Sequence, residues 1–189
     1  YFITQMLNKR TNKRTDEWGG SYENRMRFPL EVVRQIREEI GTDFILMFRL
    51  SMLDLVEDAS DIDEVIELAK ELEKAGINII NTGIGWHEAR VPTIVTSVPR
   101  AAFADITGRV KKELSIPVVA SNRINMPDIA EDIISTGKAD MVSMVRALIA
   151  DPNLVNKARN REENTIRPCI GTNMGCVGRV MSGGTLSCV

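Results

Sequence analysis

The sequence predicts an α/β fold: the C-terminal half of a (β/α)8 TIM barrel, about four β/α units, with a cysteine-containing C-terminal extension. Three observations predict it. From Phe28 onward, short apolar runs alternate with amphipathic helical stretches, the order that builds parallel strands joined by right-handed crossovers. Each apolar run is short and continuous, as in strands covered on both faces. No run is followed by the glycine-rich turn that open doubly wound sheets use for dinucleotides, so half of a barrel is favoured over that rival. A complete barrel takes roughly 250 residues, and 189 residues with four units read as a fragment of one. The expected boundaries are 1–166 for the barrel piece and 167–189 for the start of the cysteine segment.

Each element follows from local chemistry. Pro29 suits a first helical turn, and Leu30, Val33, Ile36 and Ile40 line one face before Gly41 closes the helix. Asp43 to Leu50 is apolar apart from Asp43 and Arg49 and predicts a strand buried on both faces. Ser60 is placed to cap a helix with Ile62, Val65, Ile66, Ala69 and Leu72 inward, ended by Gly76. Strands are then expected at Ile77 to Ile80, Pro117 to Ala120 and Ala139 to Met144, with helices at Ala101 to Leu114 and from Pro127 to Gly137. Asp151-Pro152 opens a last short helix.

The charge balance, 24 basic against 26 acidic residues, gives no field for nucleic acid or anionic membranes. No apolar stretch approaches the ~18 residues of a membrane span, and no basic-then-apolar leader is present. Three cysteines, an odd number crowded after residue 168, argue against a disulfide framework and for a reduced, cytoplasmic setting.

Catalytic groups of β/α barrels sit at the C-terminal ends of the strands. His87, the single histidine, follows the second predicted strand in the loop Thr82 to Arg90; a packing or surface histidine is its other reading. Arg49 ends the first strand. A salt bridge across the barrel mouth would explain it, as would stabilisation of negative charge developing on a ligand. Arg123 and Arg146 follow the third and fourth strands, where barrels often hold a phosphate, and two guanidiniums there would anchor a dianion. Structural ion pairs are the alternative. Cys169, Cys176 and Cys188, with six and eleven residues between them, suggest thiolate ligation of zinc or an iron–sulfur cluster, one ligand short, or else three unrelated thiols. The methionines read as core filler and Asn12 to Phe28 as a cross-linked structural loop.

The stretch from Asn12 to Phe28, with Asp16-Glu17-Trp18-Gly19-Gly20-Ser21 at its centre, resembles the signature loop of Old Yellow Enzyme-type flavin barrels. Gly83 to Arg90, Ser121-Asn122-Arg123-Ile124-Asn125 and the cysteine segment narrow the likeness to NADPH-dependent 2,4-dienoyl-CoA reductases of the bacterial iron–sulfur flavoprotein branch. The resemblance covers essentially the whole chain. It implies Tyr1 as catalytic proton donor and His87 as its catalytic partner, polarising the thioester carbonyl. It places His87, Glu88, Ala89 and Arg90 at the substrate, Arg49 at the flavin N1 edge, and Arg123, Val145 and Arg146 around the FMN phosphate. Cys169, Cys176 and Cys188 match three of four ligands of a 4Fe–4S cluster. Thr172 stands where the family has the second ligand, and a hydroxyl binds iron poorly beside thiolate. Val145 stands where alanine is expected.

The resemblance further implies FMN, FAD and NADPH as cofactors of the full-length parent, an acyl-CoA-type substrate and a place in fatty acid β-oxidation. The parent would supply the remainder of the barrel and a C-terminal FAD/NAD(P) module, and the isolated fragment is expected to be inactive. Amine dehydrogenases and enoate reductases of the same superfamily are the nearest alternative, although the Trp86 to Arg90 loop is not expected in them. A flavin-free, phosphate-binding barrel lyase or isomerase is the more distant one, and no lysine stands at a strand end for Schiff-base chemistry.

Overall fold

The computed structural model describes residues 2–90 and 92–189. Four strands, β1 (Met47–Leu53), β2 (Ile79–Ile84), β3 (Val118–Ala120) and β4 (Met141–Val142), form one parallel sheet in the order β1-β2-β3-β4. Helices α3 (Ile62–Lys74), α4 (Ala104–Lys111) and α5 (Pro127–Ser135) make the crossovers. Sequential parallel strands with a helix between each pair are the repeating unit of a β/α barrel, and four units are present, as the sequence predicts. Among the described residues, α1 (Phe2–Leu7) and α2 (Tyr22–Ile40) precede β1, and α6 (Arg146–Ala150), α7 (Leu154–Arg159) and a three-residue α8 (Arg179–Met181) follow β4. No helix among the described residues is long and apolar enough to cross a membrane.

Several boundaries differ from the sequence reading. Helix α2 starts seven residues before Pro29, because Ser21 Oγ accepts from Asn24 N at 3.3 Å and caps the helix earlier; Pro29 therefore lies inside it. Asp61, not Ser60, caps α3, with its carboxylate accepting from Glu64 N at 2.9 Å. Strand β1 begins and ends about three residues later than expected. Its predicted start is apolar yet open to solvent, with Phe44 66% and Ile45 74% exposed.

The strands alternate faces, and this alternation positions the site. Leu50 and Met52 of β1 and Ile80 of β2 are buried against Val65, Leu68 and Leu72 of α3 and Leu30 and Val33 of α2. Truncating a fully buried leucine here, such as Leu72, would cost roughly 2–5 kcal/mol. Arg49, Ser51 and Asn81 lie on the opposite face, with Arg49 directly beside Asn81 in the ladder. Met47 and Arg49 are exposed, so the expectation of a strand buried on both faces is corrected for β1, whereas β3 is buried at all three of its positions. Arg25, 1% exposed, donates to the carbonyls of Leu7 and Gly20 and to Glu64 at 3.0 Å, and stacks on Tyr22 at 4.9 Å. The expected cross-linking role of this loop is what the structure shows. Burial, then the nearby Glu64 charge, pushes the Tyr22 phenol well above its ordinary value.

Candidate active site

The C-terminal ends of all four strands open on one edge. After β2, Gly85 adopts φ +79 and turns the chain across the end of β1, its N–H donating to Leu53 O at 2.6 Å; Trp86 N then donates to Asp54 O at 2.9 Å. A side chain at Gly85 would also meet Thr93 Cγ2 at 2.9 Å, so the tight turn needs glycine. Exposed His87 and Glu88 project beyond it, and Glu88 faces Arg10 at 3.8 Å. Trp86, His87 and Glu88 wall a cavity of about 960 Å³ together with Arg49, Ser51 and Asp54 and with apolar Phe2, Phe28 and Leu46. Of the remaining loop residues, Ala89 is buried and Arg90 exposed; the walls of this cavity end at Glu88. Tyr1, the expected proton donor, lies outside the described residues.

A second cavity of about 160 Å³ is walled by Arg49, Ser121, Asn122, Arg123, Asn125, Val145 and Arg146. Its floor is rigid. Ser121 Oγ donates to Thr82 O, and Asn122 Nδ2 donates to Thr93 Oγ1 at 3.0 Å. Asn122 and Arg123 then take consecutive left-handed conformations, φ +68 and +59, an unusual doublet for residues with side chains. Arg123 Nε donates to Val98 O at 2.8 Å and Arg123 O accepts from Ala101 N at 3.0 Å. Arg146 Nη1 donates to Ile94 O at 2.6 Å and to Asn173 Oδ1 at 3.2 Å.

Neither guanidinium has a carboxylate partner among the described residues, so the structural ion-pair alternative does not apply there. Burial first, and then the Arg146 charge, hold Arg123 below its ordinary pKa. Two cations without a carboxylate partner among the described residues, set around a small polar cavity, could hold an anion. Arg49 walls both cavities, and its guanidinium overlies Gly83 of the next strand, where an added Cβ would stand 3.5 Å from its Nε. No ion pair of Arg49 occurs among the described residues either. The sequence expectation thus brings His87, Arg49, Arg123, Val145 and Arg146 to one edge, with Arg49 between two chambers.

The fit to a flavin mononucleotide rests on features of this edge: a small cationic pocket whose Arg49 also borders the end of the larger cavity that Ser51, Trp86 and His87 reach, the rest of which runs along β1 to Leu46 and α2. Ser51 Oγ and Asn81 Oδ1, on the same face as Arg49, are buried without a partner among the described residues, as groups awaiting a polar ligand would be. The cysteines fit their expected ligand less well. Cys169 borders the small cavity, and its carbonyl accepts from Asn125 Nδ2 at 2.7 Å. Gly175, beside Cys176, packs on the backbone of Cys188 and Val189. All three thiols are free and half-buried, Thr172 is exposed, and no group of three or more metal-binding side chains is gathered among the described residues. As placed, these residues make no iron–sulfur cage.

Sequence reasoning missed Asp54, Asn8 and the tie between them. Asp54 is buried just after β1, and its Oδ2 accepts from Asn8 Nδ2 at 2.7 Å across 46 residues. The only sequence signal is a carboxylate closing an apolar run. It also missed how the C-terminal segment is stitched to the site: Thr96 Oγ1 donates to Ile170 O at 2.7 Å. Gly171, at φ +76, packs so closely that a Cβ would lie 2.7 Å from Arg123 Nη1.

Comparison with known proteins agrees with this geometry. The pattern of the NADH:flavin oxidoreductase / NADH oxidase family matches residues 1–164. A metal reductase of Desulforamulus reducens is 44% identical over the whole chain, and an NADH oxidase of Thermoanaerobacter brockii is 40% identical, also over the whole chain. The chain spans 28% and 29% of those two proteins. The solved structure of a 2-naphthoyl-CoA reductase in complex with 2-naphthoyl-CoA superposes with a TM-score of 0.95 at 36% identity, covering all of this chain and 29% of that one.

Proposed function

This chain belongs to the NADH:flavin oxidoreductase / NADH oxidase family, and from that premise we propose that it carries the substrate-facing and phosphate-holding edge of an FMN enzyme reducing a C=C bond conjugated to a thioester, of the 2,4-dienoyl-CoA kind. The single observation behind the reading is the pair of guanidiniums without a carboxylate partner among the described residues, Arg123 and Arg146, with Arg49 bordering both their cavity and the one that His87 walls. Arg123 and Arg146, with the backbone at Val145, would hold the FMN phosphate, and Arg49 would lie beside the ring system, where a fixed cation favours added negative charge. When bound and reduced by NAD(P)H, the flavin supplies hydride to the substrate carbon.

The protein's own groups manage charge and protons. His87 polarises the thioester carbonyl as negative charge develops on it, and Tyr1 delivers a proton to carbon. A phenol, with an ordinary pKa near 10, arrives at neutral pH already protonated. The three cysteines enter no step.

The test uses the full-length parent protein. A visible flavin spectrum, bleached by NAD(P)H and restored by a 2,4-dienoyl-CoA, is the expected result. A colourless protein, or a reduced flavin that no conjugated thioester reoxidises, refutes the proposal. Tyr1→Phe should slow reoxidation by thioester at least a hundredfold and leave bleaching intact, within the usual range for losing a general acid.

A further inference from the structure

The buried carboxylate of Asp54 is unexplained by the reading above. It is 7% exposed; Oδ2 accepts from Asn8, while Oδ1 is shut away from solvent with no partner among the described residues. The indole N–H of Trp86, next to His87, is likewise buried and has no partner among the described residues. Burying polar groups without partners is costly, and an apolar side chain of similar volume would escape that cost. Such a cost persists where a residue secures a functional arrangement.

What Asp54 secures is visible in its bonds. Its main-chain carbonyl accepts from Trp86 N at 2.9 Å, fastening the His87 loop. Its carboxylate fastens Asn8, which is 1% exposed and ends α1: Asn8 N donates to Thr4 O at 3.1 Å, and Asn8 Oδ1 accepts from Arg10 N at 2.8 Å. Arg10 in turn faces Glu88 across the same joint. One residue thus ties the loop of His87 to the helix that follows Tyr1 in the sequence. We propose that Asp54 is a positioning residue, holding the His87 loop against α1 at the spacing that proton delivery requires. This rests on the function proposed above.

The experiment uses the full-length holoenzyme. Asp54→Leu keeps roughly the volume but removes the acceptor facing Asn8; Asn8→Ala opens the joint from the other side. Each is expected to lower kcat for a dienoyl thioester at least tenfold, with KM within threefold and flavin bleaching by NAD(P)H unchanged. The double variant should be no worse than either single one, because both break one contact. Hydrogen exchange at the Gly85 and Trp86 amides, which needs no substrate, should quicken at least tenfold in both variants. Unchanged kcat with unchanged exchange overturns the proposal, as does equal loss of flavin content and bleaching, which would mean general unfolding. If the wild type turns over no thioester, the function above falls, while faster exchange in both variants would still establish the joint and unchanged exchange would remove it.

Discussion

Replacing Arg146 by methionine tests the anion site where it is least entangled with the fold. Arg146 is half-buried at the start of α6, and only its Nη1 has protein acceptors among the described residues, Ile94 O and Asn173 Oδ1. Its Nε and Nη2 donors remain for a ligand, out of the five N–H groups a guanidinium carries. Hydrogen bonds to a charged group contribute roughly 1.5–3 kcal/mol net. Part of that is offset, because removing Arg146 also relieves the repulsion that now depresses the Arg123 pKa. A net loss near the lower bound, about 1.5 kcal/mol, corresponds to about a tenfold weaker flavin complex. The assay is fluorescence titration of apo full-length protein with FMN, and with riboflavin as the phosphate-free control. Affinity for FMN should fall about tenfold in Arg146→Met and much less in Arg146→Lys, while riboflavin binding stays within twofold. An FMN affinity unchanged within twofold would refute the assignment, and an equal loss for riboflavin would show that the arginine supports the fold instead.

Three further outcomes are expected. Arg25→Met should destabilise the protein by about 3 kcal/mol, the low end of the penalty for breaking a buried ion pair from one side, because it leaves the Leu7 carbonyl without its donor and Glu64 with only the exposed Lys9 at 3.5 Å; a urea midpoint near that of the wild type would contradict this. Asp151 is held below its ordinary pKa by Lys157 Nζ at 2.7 Å, aided by the N–H groups of Arg167 and Asn153. A depressed carboxylate contributes stability that is present above its unfolded value, ~3.9, and is lost as pH falls through the lower folded value; Asp151→Asn should be less stable at pH 7 and show a flatter acid limb, and an unaltered acid limb would contradict it. Anaerobically purified parent protein should hold less than one full iron–sulfur cluster per chain, with iron and sulfide rising in Thr172→Cys; a full complement in the wild type would show that the cysteines rearrange around iron.

Much of the site was legible because barrel geometry ties function to sequence order. A polar residue following an apolar run lands on one edge whatever the side-chain details, so His87, Arg49, Arg123 and Arg146 could be placed together. Position along a run was less readable. Phe44 and Ile45 are as apolar as Leu50 and Met52 but meet solvent, and composition alone does not reveal which part of an apolar run pairs in the sheet. Helix α1 has six residues and α6 five, too short for a 3.6-residue period to show. Pro29 misled because proline favours a first turn, whereas the Ser21 cap decided where the helix began. Asp54 and Asn8 meet across 46 residues, and no local pattern marks a partner that distant.

The left-handed doublet at Asn122 and Arg123 bears on how freely this edge can drift. Position 122 accommodates little besides asparagine, aspartate or glycine, since bulkier or β-branched residues resist that twist. If Arg123 holds the phosphate as proposed, position 123 needs a long cation despite the same twist, which excludes the glycine that would fit most easily. A saturation library across this pair should therefore return few functional members, and those should keep arginine at the second place.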